Sequence, residues 1–393
     1  MRRIPETRTL QRTVSLLSPF RVLMHMSRRV RTAVVAALFL LLATFDLATS
    51  PDVSFLVFYS LPVLLAAWYL GPHEGLLVSV ASIAVLVLDD IVARKLYSHP
   101  TVPLWNHGGE LVFFVFFSWL VGTLHAAFER EVTARKERLE HDLSLASEVQ
   151  AALLPPPVLD GPLFSAAGEC RQALGVGGDA WDVTVLGEGA VSVSIADVSG
   201  KGMPAALLMA GFLGFLRGLL PASTDHLDDL VAELSEKLRL AAPEARFVTA
   251  FIGVVDGGIL RYVNAGHEPG VLLPPFGSPD GPRPLPSSGP PLGVLPLARF
   301  REERAPFPPG SSLVLFTDGM TECQDPAGTE LGRERVLGLA AALKGAPPPA
   351  VVRDLLAAAE SHASGAPLQD DITIVCLSRR PTGAPGGTSP DSR

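Results

Sequence analysis

Six aspartates beyond residue 178 stand where a strand-like run meets a turn. Asp179 and Asp182 lie in VGGDAWDV, and Asp197 lies in IADVSGKG. Asp318 lies in LVLFTDGMTE, and Asp370 and Asp371 lie in QDDITIV. The last three stretches abut strongly apolar strands, where a lone carboxylate costs several kcal/mol unless it is paired or coordinated. Few lysines or arginines are near in sequence to pair with them. Oxygen donors without a histidine or cysteine cluster suit hard cations such as Mg²⁺ or Mn²⁺. Two such ions lower the pKa of a shared water and clamp a phosphoryl group. An Asp-Gly pair also makes an ordinary turn, so one stretch alone carries little. The recurrence of the pattern carries the reading.

Two other chemistries fail on spacing. SGKG at 199–202 looks like the end of a phosphate-cradling loop, but GxxxxGK[ST] needs Ser or Thr where Gly202 stands and Gly where Ile195 stands. The three cysteines, Cys170, Cys323 and Cys376, form no CxxC and no CX₅R loop. They imply neither disulfides nor thiol catalysis, and fit a reducing compartment.

The elements that must position these aspartates follow from pattern. Strands are expected at 163–173, 179–186, 190–198, 247–255, 259–263, 312–317 and 372–377, and helices at 204–220, 227–240, 333–343 and 349–362. Strands in hairpin-like pairs before long helices indicate an α+β fold with largely antiparallel sheets. The proline- and glycine-rich stretch 274–291 reads as a loop.

The first third has another character. Hydrophobic residues make up 48% of the 393-residue chain and charged ones 18%, too apolar for an ordinary soluble protein. Four apolar stretches, 32–49, 53–70, 75–92 and 111–128, approach the ~20 residues that cross a bilayer. A cleaved signal peptide fits poorly, because the apolar run starts late and three more follow. Residues 1–31 carry eight arginines and one acid, Glu6. Arg130, Arg135, Lys136 and Arg138 follow the fourth stretch, so both ends belong inside; Arg94 and Lys95 run mildly against this. A bacterial cytoplasmic membrane protein with cytoplasmic N- and C-termini is expected. Trp68, Tyr69, Tyr97 and Trp105 sit where interfacial aromatics would. Asp46, Asp89 and Asp90 lie close enough to span ends to be solvated. The net charge of −8 argues against nucleic acid as a partner.

From 129 to 153 the chain turns charged and helical. Val132, Leu139, Ala146 and Leu153 recur every seven residues, a weak coiled-coil stripe that suggests a dimer. Pro155-Pro156-Pro157 ends it. The expected organisation is a basic segment (1–31), a four-span region (32–128), a linker helix (129–157), a catalytic domain (160–378) and a disordered tail (379–393).

VGGDAWD, IADVSGKGMPAALLMA, VNAGHEPGVLL, PPLGV, LVLFTDGMTE and DDITIV occur in this order. Together with SEVQAALLPPP they resemble the stage-II-sporulation-E type phosphatases, a bacterial branch of the metal-dependent PPM/PP2C serine/threonine phosphatases. The resemblance covers about residues 146–378. It implies an α-β-β-α sandwich with two Mn²⁺ or Mg²⁺ ions between the sheets. It implies Asp179, Asp197, Asp318 and Asp370 as catalytic metal ligands, with the backbone carbonyl of Val198. Asp371 is a further ligand or orients a water, and Asp182 supports its loop. Gly177, Gly178, Gly200 and Gly202 would let the backbone approach the ions.

It also implies hydrolysis of phosphoserine or phosphothreonine on a signalling protein such as an anti-sigma-factor antagonist. Ala180-Trp181 replaces a usual aromatic pair, Ser312 stands where relatives often have an acid, and the general-acid histidine of the eukaryotic branch is missing. His267 is read as shaping a turn. Lys201 is read equally as a substrate contact or a solvated loop residue. FYSLPVLLAAWYLGP loosely resembles bacterial multi-span sensor modules. The alternative is an inactive phosphatase-like module that captures a phosphoprotein. A cyclic-dinucleotide synthase, suggested by GGD at 177–179, fails because AWD follows.

Overall fold

The computed structural model describes residues 26–49, 55–93, 95, 97–99, 101–187, 189–220, 226–242 and 246–381. Most of the arginine-rich N-terminus, Arg94 and the tail beyond 381 lie outside the described residues. The chain divides into two compact units, Met1–Leu139 and Glu140–Arg393.

The first unit contains α1 (Arg28–Ala48), α2 (Leu56–Tyr69), α3 (Pro72–Val92) and the start of α4 (Thr101–Leu153). The helices α1, α3 and α4 are long and apolar enough to cross a membrane, whereas α2 has 14 residues. The second expected span begins partly outside the described residues. Large apolar side chains stay on the outside, among them Leu40, Val57, Leu77 and Val112. That is the opposite of a water-soluble bundle and fits contact with lipid.

The acids differ from expectation. Asp46 is buried, not solvated, and accepts a 3.0 Å hydrogen bond from the Tyr59 hydroxyl. Asp90 takes Lys95 Nζ at 2.8 Å and His107 Nε2 at 2.8 Å, and Lys95 also reaches Asp89 at 3.6 Å. Carboxylates in an apolar bundle find partners because unpaired burial is costly. Two expected interfacial aromatics also turn inward: Tyr69 is buried, and Trp68 packs on His125 with ring centroids 4.5 Å apart.

No break separates the fourth apolar stretch from the expected linker: α4 is one helix of 53 residues. Its Val132, Leu139, Leu143 and Val149 are exposed. It stops at Leu153, two residues before the proline run that cannot continue it.

The second unit is a four-layer sandwich. One sheet has the order β1(Val158–Asp160), β2(Phe164–Arg171), β11(Ile372–Arg379), β10(Ser312–Phe316), β7(Gly270–Leu273), β8(Arg283–Leu285). The other runs β3(Ala180–Val185), β4(Val191–Val198), β5(Val248–Asp256), β6(Ile259–Ala265), β9(Glu303–Pro306). All pairings between these strands are antiparallel.

Alternation along each strand divides the core. Val193 and Ile195 of β4 meet Leu313 and Leu315 of β10 between the sheets. Ala196 and Val198 face α5 (Met203–Leu219) and α6 (Leu227–Ala241). Val314 and Phe316 face α7 (Asp318–Thr321), α8 (Arg333–Ala342) and α9 (Pro348–Ala363). The expected α+β sandwich is present.

Sequence reading missed β1, β7, β8 and β9. Of these, β1, β8 and β9 are sheet edges of three or four residues, and β8 and β9 contain prolines that only edges tolerate. Part of the expected loop 274–291 is therefore strand. The middle layer closes on Trp181, 2% exposed; a Cβ on Gly168 would stand 2.7 Å from its indole. Trp181→Ala is expected to cost about 3–5 kcal/mol, the range for a large buried aromatic. Denaturant unfolding of the chain would show this as a lower midpoint at unchanged slope.

Candidate metal centre

Strand register gathers the predicted acids. Ala180 of β3 pairs with Ala196 of β4, which places Asp179 beside Asp197. Phe316 of β10 pairs with Ile374 of β11, so Asp318 just after β10 and Asp370-Asp371 just before β11 emerge together. The two groups come from different sheets and are strapped together. Thr317 Oγ1 donates to Asp179 Oδ2 at 2.8 Å. Asp371 accepts from the N–H groups of Ala173 at 2.8 Å and Gly178 at 3.0 Å. Both oxygens of buried Asp371 are thus engaged with backbone, a geometry that holds the 173–178 loop.

The loop fits only because it lacks side chains. A Cβ on Gly177 would stand 2.0 Å from Asp371 Oδ2, and one on Gly178 would stand 2.9 Å from the Val198 carbonyl oxygen. That carbonyl therefore faces the VGGD turn. The SGKG bend turns through positive φ at Gly200 (94°) and Gly202 (74°), and α5 starts directly after it.

Charge is unbalanced here. Among the described residues, Lys201 is the one basic side chain within ion-pair distance of Asp179, Asp197, Asp318, Asp370 or Asp371; its Nζ lies 2.8 Å from Asp370 Oδ2. Burial first, then the Asp318, Asp370 and Asp371 charges, push Asp197 up to about 7. Burial, then the Asp197 charge, raises Asp179 well above the usual carboxylate range. Burial and Asp370 raise Asp318. Neighbouring carboxylates cannot all ionise without a cation. An all-oxygen donor set carrying this excess charge fits hard divalent ions.

The four predicted ligands sit as neighbours along an edge rather than as one knot. Among the described residues, a group whose ligand atoms all lie within 4.8 Å of one another is His226, Asp228 and Asp229. Asp228 and Asp229 occupy the first turn of α6, where acids complement the helix dipole.

Other residues fall into place around the centre. Asp182 is bound by Arg217 Nη2 at 2.7 Å and by Thr184 Oγ1 at 2.9 Å, a supporting role. Buried His267 donates its backbone N–H to Asn264 Oδ1 at 2.8 Å, which shapes the NAGH turn. Burial pushes its imidazole down to about 4, so it is neutral at pH 7. Burial pushes Cys170 and Cys376 up to about 12, which leaves both thiols inert.

Sequence reading missed Gln150 of α4. Its Nε2 donates to the Gly177 carbonyl at 2.7 Å, and its Oε1 accepts from Gly177 N–H at 3.1 Å and Gln172 Nε2 at 3.0 Å. The available signal was a polar residue inside SEVQAALLPPP, on a turn that must pack.

Residues 187–380 match the family model for stage II sporulation protein E (SpoIIE). These residues form a SpoIIE-type domain. The match includes Asp197, Asp318, Asp370 and Asp371 and begins after Asp179. The chain is 29% identical over 249 residues to protein IcfG of Synechocystis sp., covering 56% of this chain and 38% of that protein. It is 27% identical over 207 residues to phosphoserine phosphatase RsbU of Bacillus subtilis, covering 51% and 60%. The chain thus spans about half the length of these curated relatives. The solved SiaA-PP2C domain of Pseudomonas aeruginosa superposes with a TM-score of 0.56 at 21% identity, covering 62% of this chain and 98% of that domain. This likeness shows that the SpoIIE-type domain has the PP2C fold.

A pH dependence follows from Asp197. Its folded-state value of about 7 lies above the ordinary 3.8. Its protonation therefore contributes stability that is complete below 3.8 and lost as pH rises through about 7. With chelator present, the melting temperature of the chain should fall between about pH 4 and pH 7. Asp197→Asn should flatten that fall, and saturating Mn²⁺ should reverse it.

Proposed function

We propose that this chain is a membrane-anchored, metal-dependent protein serine/threonine phosphatase. The observation that carries the reading is the set of five carboxylates from two sheets, converging at one edge of a PP2C-fold sandwich beside a single lysine. The SpoIIE family match and the similarity to a relative named as a phosphoserine phosphatase support it.

Asp179, Asp197, Asp318, Asp370 and the Val198 carbonyl would hold two Mn²⁺ or Mg²⁺ ions. When bound, such ions supply a deprotonated water at neutral pH and offset charge on the phosphoryl group. The residues of the chain orient that chemistry. Thr317 fixes Asp179, and Asp371 fixes the glycine turn beside Val198. Cys170, Cys376 and His267 are poor covalent nucleophiles, since burial raises both thiols and keeps the imidazole neutral.

The substrate would be phosphoserine or phosphothreonine on a signalling protein. The resemblance to stage-II-sporulation-E type phosphatases favours an anti-sigma-factor antagonist. The lipid-facing helices and the arginine pattern support a multi-pass protein of the bacterial cytoplasmic membrane with both termini cytoplasmic. Val132, Leu139 and Leu143 lie on one face of α4 and are exposed, which suits pairing with a second copy. A signal received by the membrane region would reach the centre through α4, whose Gln150 grips the turn before Asp179.

Asp197→Asn and Asp370→Asn should each lower Mn²⁺-dependent phosphate release from a phosphoserine protein by more than about 100-fold, beyond the usual loss for outer-sphere partners. Wild-type-like turnover in either variant would overturn the ligand assignment, and no turnover by the parent chain would favour the binding-module alternative. Removal of residues 1–128 should change the rate or its regulation; identical rates with and without them would argue against signal input through the membrane region.

A further inference from the structure

We propose that Lys201 is a tethered competitor for the divalent ion at Asp370, so that the lysine sets the ion concentration at which this side of the centre fills. The proposal rests on the phosphatase reading above and adds a determinant of its metal requirement.

Asp370 has two oxygens with different occupants. Oδ1 accepts the backbone N–H of Asp371 at 2.9 Å. Oδ2 is the less engaged oxygen toward a cation, and Lys201 Nζ takes it at 2.8 Å. The same ammonium donates to the backbone carbonyl of Gln369. Lys201 thus holds the two residues in front of Asp371 at once.

The lysine can leave. It rises from the bend between Gly200 and Gly202, both at positive φ, just after the ligand strand β4. Its side chain is 48% exposed, and that of Asp370 is 45% exposed. A flexible four-carbon stem in water loses little by swinging away, and an exposed pair is weak. A cavity of about 220 Å³ opens beside it, lined by Gly319, Glu322, Gln324 and Gln369 together with Lys201 and Asp370. That space gives the displaced ammonium somewhere to go while it stays near the acids. A divalent ion at Oδ2 and an ammonium at the same oxygen repel each other, so each weakens the binding of the other.

The test is calorimetric titration of Mn²⁺ into the detergent-solubilised full chain, which reads ion affinity without reference to turnover. Lys201→Gln should bind its weaker ion about two- to fivefold more tightly than wild type, the range an exposed ion pair commands. Lys201→Arg, which keeps the charge, should stay near wild type. Raising the salt from about 0.05 M to about 0.5 M should narrow the gap between wild type and Lys201→Gln. Equal or weaker Mn²⁺ binding by Lys201→Gln would overturn the proposal while leaving the phosphatase reading intact. A wild-type chain that takes up no divalent ion would overturn both.

Discussion

Mutual repulsion among carboxylates is the constraint around which the C-terminal unit is built. Strand register alone brings Asp179 to Asp197 and Asp318 to Asp370. Left to themselves these groups would drive the strand ends apart or take up protons, as the raised values of Asp179, Asp197 and Asp318 indicate. The fold resists with hydrogen-bonded straps. Thr317 and Asp371 each tie one sheet to the other, and glycines at 177 and 178 allow the backbone to close over the acids. The apolar mass behind the site, from Trp181 and Phe251 to Leu315, keeps the two sheets from yielding.

The same economy of polar groups governs the N-terminal unit in reverse. There the helices present apolar surface outward and bring their acids together inside. Asp46 meets Tyr59, while Asp90 meets His107 and Lys95. In one unit the five clustered acids share one lysine among the described residues and so suit metal ions. In the other, side chains of the chain itself satisfy them.

Much of this was legible in the sequence, for a definite reason. Where one face of a strand is buried between sheets and the other under a helix, each residue has one allowed environment. The runs around Ile195, Leu315 and Ile374 could therefore be read directly. The aspartates were legible because each interrupts such a run at its end. Edge strands were not, since β8 and β9 bury little and carry prolines. Asp46 misled because distance from a helix end says nothing about a tyrosine on the next helix. Asp371 reads as a ligand or a water-orienting acid by position, and its two oxygens also accept N–H groups nearly 200 residues earlier in the chain, which no local pattern announces. Gln150 was invisible because helical periodicity reports which face is buried, not what a polar side chain meets there.

Gln150 has a chemical consequence of its own. A primary amide presents an N–H donor and a C=O acceptor side by side along one edge. Facing Gly177, it completes the pattern that a neighbouring strand would otherwise supply, so the end of a helix serves as a borrowed strand edge. Glutamate has the same shape but would set a second acceptor against a carbonyl, and asparagine is one methylene too short. The grip is thus selective for a single side chain, and the geometry of the glycine turn is inherited from wherever that helix comes to rest.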